Sequence, residues 1–268
     1  MTKDEADELE RATLSDSTMS PERATNPDLT AFKERTHLYT VALQFQSIQR
    51  VRVALQLSCE GRPEQAPTFI RDKMMEIEKD VVKYMADQAK MFSVWPWLSD
   101  IKGIGPRIGG MLLGLIDIRR ANTPSALWRY AGLGTSPWCV ECNTRLSDRE
   151  TVCPKCGTAA IHKADRPIKG EKLRYNAKLK KTCFLVARQF IMAGTEPYTG
   201  IYREKKAHYL GRGMTAGNAD LAARRVAVKI FLVHLWEEWR KAEGLPVRDP
   251  YVKTYLGHQD IIPSRNQE

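Results

Sequence analysis

Long apolar runs are missing from this 268-residue sequence. No stretch approaches the ~20 consecutive apolar residues that a membrane-spanning helix needs. The opening residues, Met1 to Asp7, hold no apolar centre of the kind a secretory signal carries. Cysteine is scarce as well. Of the six, four fall in two Cys-x-x-Cys pairs, and Cys59 and Cys183 stand alone. That is metal spacing in a reducing compartment rather than a disulfide framework. These absences lead us to expect a soluble, cytoplasmic protein with no membrane partner.

Acid is short through most of the chain. The formal net charge is +10, but residues 1–28 hold eight acidic and three basic side chains, so the remainder carries +15. An excess of that size favours a polyanionic partner and does not by itself choose between DNA, RNA and an acidic membrane face.

The stretch from Leu98 to Ile116 organises the rest. An apolar turn ends at Ile101, Gly103, Ile104 and Gly105 make a tight bend, and Pro106 opens a second apolar helix. This is the layout of a helix-hairpin-helix, which grips nucleic-acid backbone. The two glycines are expected to allow positive φ and bare amides. Pro106 suits a first helical position, and the helix start offers donors to phosphate. Lys102 and Arg107 add full charges. A dinucleotide-binding fingerprint (Gly103, Gly105, Gly109) is the rival. It needs a buried strand before it and an acidic residue about 20 positions on. Residues 93–98 carry Pro96, and residues 121–129 hold no Asp or Glu.

The expected fold is mainly α: a long antiparallel helical hairpin, then a helix-hairpin-helix domain with an inserted small β zinc ribbon. Residues 1–27 read as a disordered acidic tail with a short helix at 4–14. Residues 28–94 read as a coiled-coil-like hairpin of two helices, about 29–60 and 64–92, broken by Gly61 and Pro63. It is either a scaffold arm or a homo-oligomer contact. Residues 95–244 form the main domain, and 245–268 a partly ordered tail with Tyr251 and Tyr255 as anchors. Thr123 and Pro124 mark a helix start. The bend at Gly132, Leu133 and Gly134 repeats the one at Gly103 to Gly105, as a second phosphate grip or an ordinary helix cap.

Cys139, Cys142, Cys153 and Cys156 are the most specific signal. Two knuckles ten residues apart place four thiolates at tetrahedral reach of a structural Zn2+, in a ribbon at 138–161. No histidine or open ligand position is implied. Residues 162–181 are then strongly basic, and a helix is expected over 170–193. Lys169, Lys172, Arg174, Lys178 and Lys181 would lie on phosphate. Helices over about 197–210 and 219–243 follow, the latter capped by Asn218. His234, among apolar residues, reads as a core histidine.

From about Trp97 onward the chain resembles the C-terminal domain of insertion-sequence transposases of the IS one-ten type. The resemblance rests on Ile101 to Pro106, on Asp117 with Arg119 and Arg120, on Tyr130 to Leu133, and on Asn176 to Lys180. It implies a preceding helical hairpin and a role in DNA recombination, in transposition of a mobile element. That family also carries an N-terminal nuclease-like domain with four acidic metal ligands, for which residues 1–95 are too few and too helical. Its serine nucleophile follows the Tyr-Ala-Gly-Leu segment. Here that place holds Ser136 and Pro137, no Ser-Gly pair occurs, and Ser136 is the one match.

Three readings follow. The first is a nucleoid-associated DNA-binding protein of transposase ancestry without its own nuclease centre, holding duplex or branched DNA by its backbone. The second is an active transposase or recombinase using Ser136 or a partner nuclease. The third is a structured-RNA-binding module, because the family is guided by RNA and Tyr175, Tyr198, Tyr202 and Tyr209 could stack on bases.

Overall fold

The computed structural model describes residues 27–61 and 68–247. The acidic tail with its expected helix at 4–14, and most of the C-terminal tail with Tyr251 and Tyr255, lie outside the described residues. Within them the chain is mainly helical, with eight helices and one two-stranded antiparallel sheet.

Helices α1 (Pro27–Gly61) and α2 (Thr68–Ala89) pack side by side. Their 35 and 22 residues give lengths of ~52 and ~33 Å. Arg52 of α1 meets Glu78 of α2 at 2.7 Å, and Arg71 feels the charge of Glu60, so the two run antiparallel. Their apolar spacing turns Leu38, Ala42 and Phe45 of α1 and Met85 and Ala89 of α2 inward. Those side chains belong to the same core as the helices that follow.

Helix α3 (Trp95–Asp100) leads through a bend into α4 (Pro106–Leu115). Eight of the ten residues of α4 are buried. Its glycines set how closely the hairpin approaches. A Cβ on Gly114 would stand 2.8 Å from the Leu38 carbonyl oxygen and 3.0 Å from the Ala42 Cβ, and one on Gly110 would meet Met85 at 2.9 Å. Helix α5 (Pro124–Tyr130) starts where its cap signal lies: the Thr123 hydroxyl accepts the Ala126 N–H at 3.2 Å, with Pro124 in the first turn.

Strands β1 (Thr135–Cys139) and β2 (Ala160–Ala164) pair from Thr135 opposite Ala164 to Cys139 opposite Ala160. The final three helices are α6 (Ala177–Ala193), α7 (Tyr198–Gly211) and α8 (Ala216–Ala242). Helix α8 supplies Phe231, Leu235, Trp236 and Trp239 to the main core, where Phe231 meets Phe190 and Tyr198 edge-on. His234 is buried there, 3.0 Å through Nδ1 from the Tyr198 hydroxyl, as befits a core histidine.

Two helix starts differ from expectation. Helix α6 begins at Ala177, not near residue 170, because the Asn176 side chain accepts the Lys178 and Leu179 amides and ends the preceding loop. Gly170, at φ +85°, keeps that loop out of helical geometry. Helix α8 begins at Ala216 with Thr215, in extended geometry, at the cap position, so Asn218 lies inside the first turn.

Candidate metal centre and nucleic-acid interface

The four cysteines come together at the end of the β1–β2 hairpin. Their sulfurs all lie within 4.8 Å of one another. The Cys139 and Cys156 sulfurs are 3.3 Å apart, those of Cys142 and Cys153 3.9 Å. A tetrahedral thiolate shell with ~2.3 Å metal–sulfur bonds has edges of ~3.8 Å, so the cluster is compatible with one four-coordinate ion. The two knuckles are built alike. The Cys139 amide donates to the Thr144 carbonyl and the Cys153 amide to the Thr158 carbonyl, both at 2.9 Å. Asn143 at φ +44° and Gly157 at φ +70° turn the chain behind each. Leu146 packs between the buried Cys139 and Cys153.

The thiols do not ionise together by themselves. Hydrogen bonding to Thr158 holds Cys156 down to about 6, and the neighbouring Cys156 sulfur pushes Cys142 up to about 12. A divalent cation at the centre favours the thiolate at every position at once. Four thiolates fill a tetrahedral shell, which leaves no place for a reactive water. The arrangement fits a structural metal. The two isolated cysteines sit apart: Cys59 is buried on α1, and burial in the main core raises the Cys183 thiol to about 12.

At the α3–α4 bend only one glycine uses the left-handed region. Gly103 has φ +93°, whereas Gly105 is extended (φ −86°, ψ 178°) and caps α4. Ile104 is buried beneath. Gly103 rests on the end of α6, near Gln189 and Ala193, and the Thr195 hydroxyl donates to the Lys102 carbonyl at 2.7 Å. Gly105, Pro106 and Arg107 are exposed, and the Lys102 side chain reaches solvent. The Arg107 guanidinium turns back to Glu78, 2.9 Å away, and lies 5.7 Å from the centre of the Phe45 ring. Glu78 is buried and also holds Arg52, so Arg107 fastens α4 to the hairpin.

The second glycine bend has a different character. The Gly132 amide donates to the Arg129 carbonyl and the Leu133 amide to that of Trp128, which closes the end of α5. Gly132 is buried under Tyr175 and Lys180, and Gly134 lies against Asp165. Arg225 donates to the carbonyls of Leu133 and Gly134 at 2.7 and 2.6 Å. The bend is therefore a helix cap packed into the domain, with no open amide at Gly132 or Leu133. Ser136 is buried and its hydroxyl donates to the Asp165 carboxylate. A nucleophile needs access that this serine does not have.

Of the basic residues, Lys178 is drawn inward to the Leu43 carbonyl of α1. Lys169, Lys172 and Arg174 lie on the loop before α6, and Lys181 on its outer face; all four are exposed. Among the described residues, neither these four side chains nor that of Lys102 make a hydrogen bond or ion pair, whereas Lys73, Lys90, Lys205 and Lys241 each have a carboxylate partner. Arg188, exposed two turns beyond Lys181, and Phe184 between them were not singled out from the sequence. Their spacing of 181, 184 and 188 was the available signal, a helical row facing solvent.

The Tyr130 end of α5 is tied to the start of α6, whereas Arg119 reaches Glu243 beyond α8. The Asn176 side chain donates to the Tyr130 hydroxyl and the Asn176 amide to the Tyr130 carbonyl, at 2.9 and 2.8 Å. No family model and no curated protein matches this chain.

Proposed function

We propose that this chain is a zinc-containing DNA-binding protein of transposase ancestry, which holds DNA by its backbone and carries no nuclease centre of its own. In this reading residues 98–116 are a helix-hairpin-helix and residues 138–161 a zinc ribbon. The observation that carries it is the set of exposed cations without carboxylate partners, Lys102, Lys169, Lys172, Arg174 and Lys181. They are grouped on the elements around α6. Several surface cations elsewhere, among them Lys73, Lys90, Lys205 and Lys241, are held by carboxylates, and these are not. Unpaired, mobile ammonium and guanidinium groups neutralise phosphate and release its counterions. Contacts of that kind position a duplex without reading its bases.

The Zn2+ assignment rests on the all-cysteine donor set and the tetrahedral spacing, for which zinc is the commonest ion. The buried Ser136 argues against strand transfer by this chain alone. At the far end of the hairpin Val51, Leu57 and Phe69 stand 49, 62 and 70 % exposed. A second copy pairing there would close a four-helix arrangement and bury that apolar surface.

Competition among duplex DNA, a four-way junction and a structured RNA tests the reading. We expect both DNAs to displace a labelled duplex at comparable concentrations and the RNA to do so more weakly. Preferential binding of RNA would overturn it.

A further inference from the structure

Between the first turns of α6 and α8 lies a cavity of about 170 Å³. Its floor is formed by Leu133 of the second glycine bend and Asp165 at the end of β2, and apolar side chains of α6 and α8 make its walls. Phe184 and Leu221 stand at its mouth, 45 and 57 % exposed. It is well below the ~300–1,000 Å³ of pockets for drug-sized ligands. One ring system fits such a space; a folded chain does not.

Three cations line it, Lys180, Arg224 and Arg225. Arg224 is paired with Asp220 at 2.7 Å. The other two are positioned by neutral groups. Arg225 donates to the carbonyls of Leu133 and Gly134, and the Lys180 ammonium to the Asp165 carbonyl at 2.7 Å. A carbonyl orients a cation without cancelling its charge. Burial shifts both Lys180 and Arg225 below their ordinary values, so each has given up part of its hydration. The single carboxylate beside them, Asp165, attracts both cations and also accepts the Ser136 hydroxyl. The result is an apolar slot with two desolvated donors and one acceptor at its base. An aromatic ring stands at its opening, with the Arg224 guanidinium 5.5 Å from that ring's centre.

The outer row of α6, Lys181, Phe184 and Arg188, passes this mouth with a cation on either side of the ring. A strand laid along that row would set phosphates at both cations and a base opposite Phe184. We propose that the cavity receives one unstacked base of a DNA strand, with Phe184 stacked on its face and Lys180 and Arg225 donating to its ring nitrogen or carbonyl acceptors. This extends the DNA-binding reading and depends on it. It gives the protein a preference for bulged over fully paired DNA, because a bulged base is already partly unstacked.

The test uses the zinc-loaded full chain and two duplexes that differ at one position, a single-base bulge and the same bulge with an abasic residue. Base–aromatic stacking predicts that the base-containing bulge binds about fivefold or more tightly than the abasic one. In Phe184→Ala, and in Leu221→Trp, which fills the mouth, that ratio should fall to one. Both positions are exposed, and unchanged melting temperature and zinc content verify the fold. Equal binding of the two bulges by the wild type, or a ratio that survives both substitutions, would overturn the base pocket while leaving DNA binding intact. Failure to bind any DNA would overturn the DNA-binding reading and this inference with it. Displacement of the bulge by a free deoxynucleotide, with no base-versus-abasic ratio, would make the cavity a small-molecule site and also overturn the proposal.

Discussion

Stripping the metal should unfold residues 138–161 and leave the helical core standing. Trp138 and Leu146 are the large apolar side chains buried in this segment, and the burial of each contributes ~1.5–3 kcal/mol. Fixing the backbone of the ten-residue spacer alone costs about 10 kcal/mol or more. A four-thiolate zinc site contributes ~10–16 kcal/mol, which covers the difference; nothing else in the segment does. Hydrogen exchange followed residue by residue is the assay. After chelation the amides of Cys139, Leu146, Cys153 and Ala160, which bond across the hairpin, should lose protection. Amides of α4 and α8 should keep theirs, because their burial does not depend on the ribbon. Cys153→Ser should reproduce the pattern. Retained protection at Leu146 and Cys153 in protein shown by mass spectrometry to hold no metal would refute the reasoning.

Gly114→Ala should destabilise the chain by about 1–3 kcal/mol, the usual cost of overpacking, despite the ~1 kcal/mol gain in helix propensity; its new methyl meets the Leu38 carbonyl at 2.8 Å, and urea denaturation reads the loss. Burial lowers the Lys229 ammonium from 10.5 to about 8. The unfolded chain then binds more protons than the folded one between those values, so stability rises as pH climbs through that window. Lys229→Met should raise the melting temperature at pH 7, with the gain shrinking as pH approaches 10.5; no gain at pH 7 would contradict the burial argument. If the hairpin tip pairs with a second copy, Phe69→Lys should lower the mass measured by light scattering from dimer to monomer, and a wild-type monomer at all concentrations would remove that contact.

What could be read in advance was local. The Cys-x-x-Cys knuckles, the Thr123–Pro124 helix start and the Gly103 to Pro106 bend are decided within a few residues, and the chain carries those signals in order. The apolar spacing of residues 29–92 likewise announces two helices. What could not be read depends on partners far along the chain. Nothing near Arg107 tells that Glu78 will hold it, and nothing near Lys178 points to the Leu43 carbonyl. The two glycine bends look alike in sequence and differ in the fold because Arg225, Tyr175 and Lys180 close over the second. The start of α6 was misplaced because a run of helix-compatible basic residues outweighed the cap signal of Asn176. Asp165 and Arg225 acquire meaning only through contacts with Ser136 of β1 and with the bend between α5 and β1.

The dependence of DNA affinity on salt tests the central claim most directly. Each neutralised phosphate contributes about 0.9 to the slope of log affinity against log salt. Contacts by Lys102, Lys169, Lys172, Arg174 and Lys181 therefore predict a slope of about −4 to −5, or a loss of several hundredfold (~10²–10³) between 50 and 200 mM. Replacing Lys169, Lys172 and Arg174 together by alanine should make the slope shallower by roughly 2.7. A wild-type slope near zero, or a slope unchanged by the triple substitution, would contradict phosphate binding by this surface.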